Sequence, residues 1–207
     1  MDKQIYQDLI KSVETEYGFT EGYELLSCPW NTIGTTETAF ISLNPGKPPD
    51  VKELRYVSNE QGNSYEVDRF ITKSPITEQF FKLCKFIDTE PRKILTGMAC
   101  PFRGGRWDHF SNQQKDIGLS IGRQFWSEAL DDKIKLIIVL GDVTKTMIVD
   151  LKNARLDYEV AAKWQNTKNR RFITSTGTKI IQLPHLSTFK LFSREECLEP
   201  LKEIFEI

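Results

Sequence analysis

The chain reads as an α/β fold, a parallel sheet covered on both faces by helices. Three observations predict it. Short apolar or β-branched runs recur at residues 38–43, 93–99, 135–140 and 179–183. Helical periodicities fall between them, the alternation expected of parallel strands joined by crossover helices. Two of the runs end in tight turns carrying one polar side chain each, Asn44-Pro45-Gly46 and Pro184-His185-Leu186. In open α/β sheets ligands bind just beyond the carboxyl ends of strands, so both turns can face one crevice.

The helices follow in order. The first spans about residues 2–17, with Ile5, Leu9, Ile10 and Val13 on one stripe. Ser74-Pro75 opens a second, an N-cap followed by proline at the first helical position. Phe80, Phe81, Cys84 and Ile87 form its buried face. A third covers residues 112–130, where Ile117, Ile121 and Phe125 recur four apart and Gly118 and Gly122 weaken the helix locally. A fourth follows Gly141-Asp142 and buries Met147, Ile148 and Leu151. The last begins with Ser193-Arg194-Glu195-Glu196, a capping-box pattern, and Pro200 is expected to kink it. Residues 47–69 and 167–178 read as irregular, and as walls of a substrate site.

Composition narrows the function. The chain has 207 residues, enough for one domain with a core that needs no staples. No apolar stretch approaches membrane-spanning length, and Met1-Asp2-Lys3-Gln4 does not begin a secretory signal, so an intracellular, cytoplasmic monomer is expected. Cys28, Cys84, Cys100 and Cys197 are scattered without a CxxC pair, which argues for buried free thiols and against a metal. No motif points to a cofactor: Pro45-Gly46-Lys47 falls short of a P-loop, and Gly141-Asp142 lacks GxGxxG. A net charge of −1 leaves nucleic acid open, because DNA affinity depends on a local basic face. Candidates for that face are Arg103, Arg106, residues 163–171, Lys190 and Arg194, although for any one of these clusters a solvated loop is the better reading.

Two side chains could do chemistry. Asn44 takes up no proton near neutral pH, but its carbonyl can hold a water and aim it at an electrophile. Such positioning suffices where the transition state is already cationic, as in cleavage of a bond to a sugar. Pro45 holds the turn, and Gly46 removes a side chain where a ligand comes close. A neutral His185 can donate its N–H to charge developing on a leaving group. Each has a structural reading beside it, as a turn amide or a hydrogen-bonded loop histidine. Ser187 and Thr188 could bind a phosphate or cap the next turn, and Asp108-His109 beside Trp107 could be an acid–base pair or a loop contact.

In this order, the motifs resemble the uracil-DNA glycosylase superfamily. Ser42-Leu43-Asn44-Pro45-Gly46 is similar to its first motif in the mismatch-specific and single-strand-selective branches, written G-[ILM]-N-P-G. Leu183-Pro184-His185-Leu186-Ser187 is similar to its second, commonly H-P-S. Between them, Met98-Ala99-Cys100-Pro101-Phe102-Arg103 and Leu136-Ile137-Ile138-Val139-Leu140-Gly141 resemble the second and third strands with their exits. The likeness covers most of the chain. It implies a three-layer α/β/α sandwich around a four-stranded parallel sheet, in agreement with the strand count above.

The resemblance further implies hydrolysis of the N-glycosidic bond of a base flipped out of single- or double-stranded DNA. Asn44 would position the water, and His185 would hydrogen-bond the departing base. Leu43, Pro45, Gly46, Met98 and Cys100 would line the base pocket with Tyr65, for which Tyr56 is the reserve. Ser187, Thr188, Lys190 and Arg103 would meet the DNA backbone. The pattern departs in places: Ser42 stands for a glycine, Leu186 for a proline, and Met98 for an asparagine that reads the uracil edge. A methionine cannot make that paired donor–acceptor contact. The resemblance therefore carries base excision of a damaged or modified base without carrying uracil specificity. Two other readings stay open: a glycosylase-fold protein that binds nucleic acid or a base without cleaving, and an enzyme acting on free nucleosides.

Overall fold

A computed structural model describes residues 1–47, 54–71 and 74–207. Its strands are β1 (Tyr23–Leu26), β2 (Thr38–Ser42), β3 (Arg55–Ser58), β4 (Ile94–Met98), β5 (Leu136–Leu140), β6 (Arg155–Ala161), β7 (Lys168–Ile173) and β8 (Lys179–Leu183). Its α-helices are α1 (Lys3–Glu16), α2 (Ser64–Ile71), α3 (Pro75–Phe86), α4 (Asn112–Ala129), α5 (Gly141–Leu151), α6 (Leu186–Phe189) and α7 (Glu195–Phe205).

The class is α/β, but the four-stranded parallel sheet is too small. The strands form one mixed eight-stranded sheet in the order β3-β1-β4-β2-β5-β8-β7-β6. The four strands expected from sequence are its centre, β4-β2-β5-β8, and they run parallel to one another. β1 joins β4 antiparallel and carries β3, while β7 and β6 extend the other side antiparallel. The segments read as irregular thus hold regular structure: β3 and the start of α2 lie within 47–69, and β7 within 167–178. Residues 48–53 of the first lie outside the described residues. The physical reason is compositional. β6 and β7 pair Glu159 with Arg170 and Ala161 with Lys168, so their regularity rests on a ladder and its charges rather than on an apolar run.

The parallel strands alternate between two cores, as a sheet covered on both faces must. Ala39, Ile41, Ile137 and Val139 point to a core shared with Ile10 and Val13 of α1, Phe125 and Trp126 of α4, and Ile148 of α5. Phe40, Ile138, Leu140, Ile181 and Leu183 point to the opposite core, with Phe80 and Leu83 of α3 and Leu201 and Ile204 of α7.

The helices hold with local corrections. Asp2 caps α1 by accepting from the Gln4 N–H at 2.9 Å. The buried stripe of α1 runs through Tyr6 rather than Ile5, which is 59% exposed. Ser111 and Gln114 form a reciprocal capping box at α4. The glycines of α4 serve packing: a Cβ at Gly122 would lie 1.7 Å from the Ala99 carbonyl oxygen, and one at Gly118 would lie 2.4 Å from Cys100 Sγ. Ser193 caps nothing, because its hydroxyl accepts from Gln79 Nε2 and Lys82 Nζ across to α3. α7 is continuous through Pro200, which is buried.

Candidate functional site

The ladder brings the two motif turns to one end of the sheet. Gly97, Ile41, Val139 and Gln182 form a row across β4, β2, β5 and β8. Asn44 and His185 each come three residues after their member of that row. Their strands are separated only by β5, so the turns leave the same edge roughly 10 Å apart at the usual spacing of two ladders.

The first turn is tied to the exit of β4. Beyond the strands, Ala99 N–H donates to the Ser42 carbonyl and Cys100 N–H to that of Leu43, both at 2.8 Å. Gly104 N–H closes the pairing on the Pro45 carbonyl at 3.1 Å. Asn44 Nδ2 then donates to two backbone carbonyls, Pro45 at 3.0 Å and Gly104 at 3.2 Å. Two acceptors on one side require the NH2 there, which decides the amide orientation. Oδ1 faces away from both carbonyls and has no protein partner among the described residues, leaving it able to accept a hydrogen from water. Pro45 is buried, Leu43 half-buried and Gly46 exposed.

His185 precedes α6, and its carbonyl accepts from Thr188 and Phe189 N–H at 3.0 and 3.1 Å. Its Nδ1 lies 2.8 Å from Ser187 Oγ. The ring has an exposed edge, and the protein crowding the rest lowers its pKa below the usual histidine value by desolvation. The neutral form is therefore favoured near pH 7. In the tautomer in which the Ser187 hydroxyl donates to Nδ1, Nε2 carries the proton, the form that donates to a leaving group. Thr188 and Lys190 are exposed beside it, Lys190 in the left-handed region at φ 50°.

Two expected site residues are structural instead. Arg103, expected on DNA, is 7% exposed. Its Nη2 meets Glu24 Oε2 at 2.5 Å and Tyr56 OH at 3.2 Å, Nη1 donates to the Gly46 carbonyl at 3.2 Å, and Nε to the Leu54 carbonyl at 3.3 Å. Its charge is spent on Glu24, and it holds the end of the Asn-Pro-Gly turn from behind. Burial and the Glu24 charge push the Tyr56 hydroxyl up to about 12. Cys100, expected in the base pocket, is fully buried against Gly118 of α4 on the other face, and desolvation pushes its thiol up to about 12. All four cysteines are free and buried.

Met98 and Tyr65, expected in a base pocket, are both buried. Met98 is 6% exposed and in register with Ser42, and its carbonyl accepts from Trp126 Nε1 at 2.8 Å. Tyr65 lies against Phe80 at 4.4 Å between ring centroids. Its N–H donates to Asn63 Oδ1 at 3.1 Å, and Asn63 also reaches Thr96 Oγ1 at 3.2 Å. The basic stretch 163–171 is largely paired: Lys168 and Arg170 meet Glu159, and Arg171 meets Asp157 and Glu206. Asp108 and His109 are exposed in a 3-10 turn.

Sequence reasoning missed Glu24, Asn63 and Gly104. Glu24 carried a signal, a carboxylate inside the apolar run Tyr23–Leu26 that demands a buried cation. Gly104 carried none, since it acts through its backbone. Among the described residues no group of three or more His, Cys, Asp or Glu could hold a metal ion, and no helix is long and apolar enough to cross a membrane.

No family model matches the chain, and no curated protein does. Among solved structures, the molybdopterin biosynthesis MoeA protein from Pyrococcus horikosii is similar at 16% identity over 81% of this chain, with a TM-score of 0.35. The chain spans 36% of that protein's length, and a likeness at that score carries no argument about function.

Proposed function

We propose that the chain is a monofunctional DNA N-glycosylase that hydrolyses the bond between deoxyribose and a flipped-out damaged or modified base. As the C1′–N bond breaks, positive charge gathers on the sugar and negative charge on the base. Asn44 Oδ1 accepts a hydrogen from water and aims its lone pair at C1′. His185 donates from Nε2 to the departing base. The water oxygen ends on C1′, and its proton passes to the base or to solvent.

The observation that carries this reading is Asn44, whose NH2 is spent on Pro45 and Gly104 so that only an acceptor is presented. The neutral imidazole of His185 at the same sheet edge supports it. The test is alkaline cleavage of oligonucleotides bearing uracil, hypoxanthine, xanthine, oxidised pyrimidines or hypermodified cytosines, with Asn44→Ala and His185→Ala as controls. Release of one base by the wild type and not by the variants establishes the activity.

Met98 favours a second reading, a nucleic-acid or base-binding protein that does not cleave, since it stands where a base-reading amide would. Tight binding to abasic-analogue DNA, with no alkali-labile product on any substrate, would select it.

A further inference from the structure

The antiparallel hairpin β6–β7 brings its turn to the edge that carries His185. β7 runs antiparallel to β8 with Arg170 opposite Gln182, and β6 runs antiparallel to β7 with Ala161 opposite Lys168. The turn that joins them, residues 162–167, therefore stands beyond the carboxyl end of β8. It lies one ladder spacing, roughly 5 Å, from the strand of His185. The turn is closed by the Ala162 N–H on the Thr167 carbonyl at 2.9 Å and by the Thr167 hydroxyl on the Trp164 carbonyl at 2.7 Å.

One arginine joins this turn to the segment after His185. The Arg194 guanidinium lies 3.3 Å from the centre of the Trp164 ring, and its Nε donates to the Phe189 carbonyl at 3.0 Å. Trp164 itself packs against the core that holds Phe192 and Leu201. Stack and hydrogen bond together fix the plane of the guanidinium, yet both of its Nη groups have no hydrogen bond or ion pair among the described residues. The neighbouring carboxylates are otherwise engaged. Glu199 pairs with Lys202 at 2.7 Å, and Glu195 and Glu196 sit in the first turn of α7, whose positive end favours them. Lys163 on the turn and Lys190 next to Phe189 are exposed and likewise have no ion pair among the described residues. Arg103 and Arg171, by contrast, spend their charge on buried or partly buried carboxylates.

We propose that Arg194, held flat on Trp164, is a phosphate fork that grips the DNA strand on the β7 side of His185, with Lys163 and Lys190 flanking it. A guanidinium with two free amino groups in a fixed plane matches two oxygens of one phosphodiester, a geometry that an ammonium cannot reproduce. Because stacking has already ordered the side chain, little further entropy is lost on binding. The strand would then cross the carboxyl edge from the Asn44 turn toward the hairpin. The inference rests on the proposed function only for DNA as the partner, and its readout needs no cleavage.

The test is fluorescence anisotropy across a salt series, using duplex DNA with a central abasic analogue. Arg194→Gln should lower the slope of log K against log salt by about 0.9, while Arg92→Gln, before β4 at the opposite edge, leaves it unchanged. Arg194→Lys should keep the slope and bind roughly 10-fold more weakly, and Trp164→Leu should match it. A neutral methylphosphonate at one position flanking the abasic site should weaken the wild type by roughly 10-fold and leave Arg194→Gln unaffected. A slope unchanged in Arg194→Gln, an equal fall in Arg92→Gln, or Arg194→Lys binding as tightly as the wild type overturns the fork. An Arg194-dependent slope in a protein that excises no base keeps the fork and removes the glycosylase. Excision with an unchanged slope in Arg194→Gln does the reverse, and no DNA binding at low salt overturns both.

Discussion

The side-chain amide of Asn44 donates to the carbonyl of Gly104 at 3.2 Å, joining the loops that leave β2 and β4. Chemistry and architecture meet in that contact, for the bond that orients Asn44 also closes the turn. Asn44→Ala should therefore lower excision by at least ~10²-fold. It should also cost about 1–2 kcal/mol of stability for two lost bonds to backbone. Single-turnover kinetics beside urea denaturation separate the effects. Retained activity would remove Asn44 from the mechanism.

Arg103 and Lys190 should part company. Arg103→Leu leaves Glu24 buried without its cation, and the expected loss is about 3–5 kcal/mol in urea denaturation. Lys190 is exposed and has no such partner among the described residues, so Lys190→Ala should leave folding intact. If it meets a phosphate, the slope of log K against log salt should fall by about 0.9. An unchanged slope would take Lys190 off the DNA.

His185 sets an acid limit. Its pKa is lowered in the fold, so between the folded and unfolded values the unfolded state binds more protons and stability rises with pH. The contribution is full above the unfolded value near 6.5 and is lost as pH falls through the folded one. His185→Gln should flatten the change in denaturation midpoint between pH 7 and pH 5. A wild-type slope in the variant would assign that loss to other groups.

Gly122→Ala should be disproportionately damaging for a change that raises helix propensity. The new methyl would sit 1.7 Å from the Ala99 carbonyl, a backbone atom that cannot turn aside. Overpacking of this kind costs about 1–3 kcal/mol or more, and here it displaces the loop that carries Gly104. Thermal melting and excision should fall together; an unperturbed melt would mean that the helix and loop separate freely.

The central strands and helix starts were legible because each rests on local chemistry: apolar runs at 136–140 and 179–183, the Ser74-Pro75 start, the Asn-Pro-Gly turn. β1, β3, β6 and β7 were not, because Glu24, Arg55, Glu159 and Arg170 are acceptable in strands only once their partners are in place. Arg103 shows the same limit. A sequence lists a cation, but only the fold decides whether Glu24 or solvent receives it.

By itself the sequence determined the parallel centre of the sheet, the helices that cover it, and the two turns able to carry Asn44 and His185. These follow from periodicity and turn stereochemistry, which act over a few residues. The tertiary structure decided which polar groups are spent and which are left over. It paired Arg103 with Glu24, packed Cys100 against Gly118, and left the Asn169 side chain buried with no hydrogen-bond partner among the described residues. Burial and hydrogen-bond satisfaction are properties of surroundings, and residues far apart in the chain create those surroundings only when it folds.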